Sequence, residues 1–227
     1  MKLLTLGNTK TVKGEALGFQ TYIMHLAPST LSGYNTCPKA SAGCAAACLN
    51  TAGRGRFSAI QEARIRKTKW FFEDRSTFML QLVKDIQAAI RKANRENMTP
   101  VFRLNGTSDI RWETVAFGAY RNIMEMFPTV QFYDYTKLAN RRDIPSNYHL
   151  TFSRSESNYV DVTTMMGTDT NIAIVFDELP ATFNGRKVID GTETDLRFLD
   201  EKGVIVGLLA KGKAKSDRSG FTFLTKR

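Results

Sequence analysis

Short apolar runs bounded by turn-forming residues recur along the chain and are separated by longer, more polar stretches. Six of these runs are rich in β-branched and aromatic residues, and each predicts a strand. They are residues 21–26, 101–104, 130–135, 148–152, 171–176 and 204–209. Because the early runs are joined by long connections, as parallel strands require, the pattern predicts a mostly parallel sheet.

The longest connection is predicted to be helical. Apolar residues recur every four positions from Phe78 to Ile90, which is typical of a helix with one face against a core. We expect helical structure to begin with Ser58 as the capping residue, to break near residues 74–76 and to continue toward residue 97. A further helix is predicted over residues 112–127.

Late in the chain, Asn184-Gly185 stands between two β-prone segments and predicts a hairpin turn. The alternation of strands with helices or loops predicts an α/β fold, a partial or full (β/α) barrel of mostly parallel strands. Neither a linker nor a repeat divides the sequence, so residues 1–227 are predicted to form one domain. In barrels of this kind the loops after the strands build the functional site.

The amino-acid composition and the lengths of the apolar runs indicate the broad class to which the protein belongs. The chain has 227 residues, 42% of them hydrophobic, which is enough for a substantial core. No apolar run is long enough to span a bilayer, and residues 1–14 are too polar for a secretory signal. We therefore expect a cytoplasmic protein without membrane contact.

The chain has three cysteines, Cys37, Cys44 and Cys48, which lie within twelve positions in a C-x6-C-x3-C arrangement. An odd, clustered set favours metal ligation over disulfides. Alanine and glycine between the cysteines would let the backbone wrap around a bulky group, which favours a 4Fe-4S cluster with one iron open to a ligand. Zinc, with His25 or His149 as fourth ligand, and three ordinary buried cysteines are the alternatives.

A formal charge of +10 predicts an anionic partner, either nucleic acid or a phosphate-bearing small molecule. Basic residues follow the cysteine loop closely. They are expected to form one electropositive surface at the mouth of the site and are the predicted contacts for that partner. They are Arg54, Arg56, Arg64, Arg66 and Lys67. The alternative interpretation is a solvated helix face.

The order of these features resembles the radical S-adenosylmethionine (SAM) enzymes, in which a three-cysteine loop follows the first strand and a glycine-containing turn follows the second. The resemblance implies that the cluster binds SAM, that SAM starts hydrogen abstraction from a substrate, and that an electron donor is a partner. The residues it assigns to SAM are Asn105, Gly106, Thr107, Ser108 and Asp109 after the second strand, and Ser153, Ser155 and Glu156 after the fourth. The common radical SAM spacing, C-x3-C-x2-C, is shorter than the spacing here.

The cysteine loop is more similar still to three-cysteine proteins encoded by phages. Lys39, Ser41, Gly43 and Cys44 match the Lys-x-Ser-x-Gly-Cys core of those loops, and residues 37–53 resemble the phage gene product eighty-eight family. The resemblance implies a phage or mobile-element origin, and hence the host cytoplasm. The leading hypothesis is a radical-SAM-like iron-sulfur enzyme; the alternative is a nucleic-acid-binding protein with a structural zinc or iron-sulfur site.

Overall fold

The computed structural model describes residues 1–6 and 13–225. Its strands are β1 (Leu4–Leu6), β2 (Phe19–Met24), β3 (Thr99–Arg103), β4 (Gln131–Thr136), β5 (Tyr148–Ser153), β6 (Ile172–Phe176), β7 (Thr182–Phe183), β8 (Arg186–Asp190) and β9 (Ile205–Leu209). Its helices are α1 (Ala42–Ala46), α2 (Ser58–Glu73), α3 (Arg75–Arg95), α4 (Ile123–Met126) and α5 (Tyr159–Met166).

One nine-stranded sheet carries all of these strands, in the order β1-β2-β3-β4-β5-β6-β9-β8-β7. Pairing is parallel from β2 through to β8, and only β1 and β7 pair antiparallel with their neighbours. All six predicted strands are present within about two residues of their predicted bounds, so the mostly parallel α/β fold is confirmed.

A closed barrel is not confirmed, because the sheet is open. Within the described residues β1 and β7 are its two edges, and no pairing joins them. The predicted hairpin explains one edge: Asn184 and Gly185 have φ values of 46° and 79°, which turn β7 back antiparallel onto β8. At the other edge β1 covers β2 in the same antiparallel manner.

The long helical connection breaks at Asp74, as predicted, and the Asp74 carboxylate accepts a hydrogen bond from the Thr77 N–H (3.2 Å) to cap α3. The start of α2 was predicted wrongly by one residue: Ser58 is its first helical residue, and Phe57 occupies the capping position without a side-chain bond. This deviation lies within ordinary boundary uncertainty.

The predicted helix over residues 112–127 is wrong. The segment is a 3-10 turn at Trp112–Thr114, an irregular stretch and the short helix α4. Gly118 has φ 60° and Phe117 bridges to Tyr120, so the chain reverses there. Trp112, Val115, Ile123 and Met124 are buried through these turns instead.

The two faces of the sheet are covered differently. Alternate residues such as Tyr22, Phe102 and Phe132 share a buried cluster with apolar residues of α2 and α3. On the opposite face Val101 and Tyr133 pack against residues 196 and 198, which lie in and beside a 3-10 turn. That segment covers only part of the second face, and the remainder borders a cavity.

In the described chain, no helix combines the length and apolar character needed to cross a membrane.

Candidate functional site

A cavity of about 510 Å³ lies where the central parallel strands end. Residues just after β2, β3 and β4 line it, together with the last residue of β5. Parallel strands bring their carboxyl ends to the same edge, so loops distant in sequence meet there. Apolar side chains of Val175 on β6 and Leu208 on β9 complete one wall.

Cys37, Cys44 and Cys48 all line this cavity. Their thiols are free and half-buried. Ser41 accepts a hydrogen bond from the Cys44 N–H (3.2 Å) and so caps α1, the short helix that carries Cys44. Within residues 1–6 and 13–225, no three His, Cys, Asp or Glu side chains are gathered as a set that could hold one metal ion. The three cysteines therefore line one cavity but do not form such a set as they stand.

Burial raises the pKa of the Cys37 and Cys48 thiols, because a thiolate is poorly solvated there. Hydrogen bonding acts in the opposite direction: Asn50 donates its N–H to the Cys48 sulfur (3.5 Å). Arg64 is the cation that lowers the pKa of Cys48, and its Nε is buried with no hydrogen-bond partner in the described part of the chain. Burial outweighs these two contributions, so the pKa of Cys48 stays raised, and Asn50 and Arg64 only moderate the cost of a thiolate there.

Glu156, predicted to contact a cofactor, instead holds the cysteine loop. One carboxylate oxygen accepts from the Gly43 N–H and the other from the Ser41 hydroxyl, each at 2.7 Å. A Cβ at Gly43 would lie 2.1 Å from the Ser219 Oγ and 2.7 Å from the Glu156 Oε1. Glycine at this position is thus required for the close approach of the three segments.

The turn after β3 lines the cavity over residues 105–109. Asn105 organises the turn, because its Oδ1 accepts from the Ser108 hydroxyl (2.8 Å) and from the Ile110 N–H (3.0 Å). Gly106 packs closely on β2, since a Cβ there would lie 2.6 Å from the Ile23 Cγ2. The Asn105 and Ser108 side chains are therefore engaged in hydrogen bonds within the turn, and the backbone of the turn lies beside the cavity.

Asp109 joins the β3 turn to the loop after β4. Its Oδ2 accepts the Lys137 N–H (2.7 Å), Arg141 lies 3.8 Å from its Oδ1, and burial raises its pKa. Ser153 also lines the cavity and accepts from the Lys137 Nζ (2.9 Å). Ser155, also predicted to contact the cofactor, is buried beside Ser157 and is not among the residues that line the cavity.

The basic residues predicted as one surface are separated by the fold. Arg64 lines the cavity, whereas Arg54, Arg56 and Arg66 are exposed outside it. Lys67 is buried, and its Nζ donates to the Leu3 carbonyl (2.9 Å) at the contact between α2 and β1. The prediction of one continuous electropositive surface is therefore corrected, because successive side chains on a helix point in different directions.

Sequence reasoning missed Arg103 and Tyr135, which form a polar wall of the cavity with Asp195. Arg103 forms an ion pair with Asp195 and, like Tyr135, faces the cavity. The signal for both was available: each lies two positions beyond a buried residue of the same sheet face, Val101 or Tyr133. His25 also lines the cavity, as its position near a strand end suggested.

Comparison with known proteins identifies a family but no individual relative. No curated protein and no solved structure matches the chain. The family model described as gene product 88 matches residues 2–223, which include the cysteine loop and every strand of the sheet. The chain belongs to the gene product 88 family.

Proposed function

We propose that the chain is a radical-SAM-like iron-sulfur enzyme of phage or mobile-element origin, with a 4Fe-4S cluster on Cys37, Cys44 and Cys48. The observation that carries the proposal is that all three cysteines of one loop face the same cavity at the carboxyl edge of a parallel sheet. A cluster held by three thiolates leaves one iron open to a ligand and supplies one-electron chemistry.

The chemistry of the surrounding residues fits such a group. The Cys48 sulfur accepts the Asn50 N–H (3.5 Å) and lies within the electrostatic influence of Arg64, and such donors and charges stabilise cluster sulfur. A single zinc would instead need ligands around one point, and the described residues offer no such set. Cys37, Cys44 and Cys48 would hold a 4Fe-4S cluster through one thiolate each, and the cluster would supply one-electron chemistry there.

The chain's own contribution would be to bind and orient a ligand and to exclude water. Gly106, Thr107, Asp109 and Ser153 line the cavity and are the residues we propose for contact with SAM. The Asp109 Oδ1 is buried, has no hydrogen-bond partner among the described residues and lies 3.8 Å from Arg141, so it could still accept a hydrogen bond from an ammonium group. An electron donor would be a further partner.

A nucleic-acid-binding protein with a structural metal is the second candidate. Exposed Arg54, Arg56 and Arg66 and the charge of +10 favour it. It does not account for the position of the cysteines at a cavity.

Anaerobic purification followed by iron, sulfide and zinc analysis tests the proposal. We expect about four irons per chain, with sulfide in equal amount, because three thiolates of this kind suit a cubane. Replacing any one of the three cysteines by alanine should remove the iron, whereas Lys215→Gln, on the exposed surface, should leave it unchanged. Stoichiometric zinc without iron would contradict the iron-sulfur proposal.

The SAM part of the proposal has its own measurement. Titration of the iron-loaded protein with SAM should change the paramagnetic resonance spectrum of the reduced cluster and release heat. A full cluster that shows neither response would refute the radical-SAM assignment and leave the iron-sulfur assignment intact.

A further inference from the structure

Four cationic side chains line the cavity, and three of them, Arg64, Lys137 and Lys211, have no carboxylate partner among the described residues. Among residues 1–6 and 13–225, no Asp or Glu oxygen lies within 4.0 Å of any of their charged nitrogens. Residues 7–12 and 226–227 contain no Asp or Glu. The three charges are thus not neutralised by a side-chain carboxylate of the described chain.

The acidic residues of the cavity offset only part of this charge. Asp195 is paired with Arg103, and Asp109 lies 3.8 Å from Arg141, an arginine that Glu113 also binds. Two carboxylates thus stand against four cationic side chains among the lining residues. The wall of a partly enclosed cavity carries an excess of positive charge, and removing such charge from water is unfavourable unless an anion compensates it.

Lys137 is the cation best placed to meet a ligand. Its backbone N–H is fixed by Asp109 (2.7 Å), and its Nζ donates to the Ser153 Oγ (2.9 Å). The Nζ also lies 5.7 Å from the centroid of the Phe221 ring, which lines the same cavity. An ammonium group has three N–H donors, and Ser153 takes only one of them.

We propose that Lys137, with Lys211 at the rim, binds the phosphate or carboxylate group of a small molecule that occupies this cavity. The volume of about 510 Å³ lies within the range of about 300–1,000 Å³ typical of small-ligand sites. Val175, Leu208 and Phe221 give the less polar part of such a molecule an apolar wall. The inference rests on the proposed function in taking this cavity as the reaction site, and it makes the substrate a small anion rather than a nucleic-acid strand.

Arg64 has a different role from Lys137 in this arrangement. It is the cation that acts on the Cys48 thiol, and its Nη1 bonds to the Asn50 side chain. Arg64 therefore offsets charge on the sulfurs, while Lys137 is held by residues after β3 and at the end of β5. The two cations can be separated experimentally because anion binding at Lys137 does not need the cluster.

Isothermal titration of the metal-free full chain with pyrophosphate tests the inference. Wild type should bind pyrophosphate, and Lys137→Gln should weaken binding about 10-fold or more, because a charge-assisted hydrogen bond is lost. Lys211→Gln should weaken it by a smaller factor, since Lys211 is exposed. Lys215→Gln removes the same charge outside the cavity and should have no effect beyond a small change in salt dependence.

Two results would overturn the inference. One is wild-type protein that does not bind pyrophosphate at millimolar concentration, or that binds it no better than Lys137→Gln. The other is binding of a single-stranded oligonucleotide that depends on Arg54, Arg56 and Arg66 but not on Lys137, which would assign the charge to a nucleic-acid surface. Iron analysis is made separately, so a protein that binds pyrophosphate but no iron would refute the proposed function and not this inference.

Discussion

Replacing Glu156 by glutamine should loosen the cysteine loop without removing any thiol. The carboxylate accepts one bond from the Gly43 N–H and one from the Ser41 hydroxyl, both at 2.7 Å. Glutamine has a single acceptor oxygen, so its NH2 group would face one of these donors. Hydrogen bonds to charged groups contribute about 1.5–3 kcal/mol each, and the variant should lose roughly one of them.

That loss should appear as easier local opening of the loop. A decrease of about 1.5–3 kcal/mol in the free energy of opening corresponds to about 10- to 100-fold faster hydrogen exchange of the Gly43 and Cys44 amides. Cys44 should also be alkylated faster in metal-free protein, because Ser41, which caps its helix, is no longer held. In iron-loaded protein, a chelator should remove iron faster from Glu156→Gln than from wild type.

Glu62→Gln is the matched control, because Glu62 is exposed on α2 and forms only a surface pair with Arg66 (3.8 Å). Such pairs contribute about 0–1 kcal/mol, so exchange in residues 41–44 should not change. Equal exchange and equal alkylation in Glu156→Gln and Glu62→Gln would refute the reasoning, since the bonds to Ser41 and Gly43 would then contribute nothing to loop stability.

Two further substitutions test the packing and charge of the site. Gly43→Ala places a Cβ 2.1 Å from the Ser219 Oγ and 2.7 Å from the Glu156 Oε1. It should lower the free energy of unfolding by about 1–3 kcal/mol. Gly167→Ala is the control and should change that free energy less, because its Cβ would lie 3.4 Å from the nearest neighbouring atom. Burial, and after it the charge of Arg64, lowers the pKa of His25 to about 3. The unfolded chain therefore binds the proton more readily than the folded one, and stability is lost as the pH falls from about 6.5 toward 3. At about pH 5 this amounts to about 2 kcal/mol, and urea unfolding of His25→Gln at about pH 7 and pH 5 should show a smaller difference than wild type. An unchanged difference would show that His25 does not titrate in this way.

The strands were predictable because a parallel sheet covered on both faces needs continuous apolar runs. Each predicted run lies in the observed sheet, including the Asn184-Gly185 hairpin, whose positive φ angles only a few residue types favour. Residues 112–127 were mispredicted because their apolar spacing also suits a chain that reverses at Gly118. Local periodicity does not distinguish these cases, since tertiary packing buries the same side chains in both.

The position of the site was predictable from the sequence, but the hydrogen bonds between its distant segments were not. The cysteine loop and the turn after β3 were expected at the strand ends, and both line the cavity. The partner of Gly43 lies 113 residues away at Glu156, and the partner of Lys67 lies 64 residues away at Leu3. No local pattern carries such pairings, so the sequence could not show that Glu156 and Lys67, both assigned to ligands, also bond to distant parts of the chain.

These long-range hydrogen bonds also determine how far the cysteine loop and the Lys137 side of the cavity depend on each other. The loop after β5 holds the cysteine loop through Glu156, and it holds the C-terminal segment through Arg154, which donates to the Gly220 and Phe221 carbonyls (2.9 and 3.0 Å). Lys137 is held separately, by Asp109 and by Ser153 at the end of β5. A perturbation at Glu156 should therefore change the behaviour of the cysteines while leaving anion binding at Lys137 largely intact. Different hydrogen bonds hold the cysteine loop and Lys137. If Glu156→Gln changed the cysteines and also abolished anion binding, the whole cavity would have collapsed, rather than one loop having loosened.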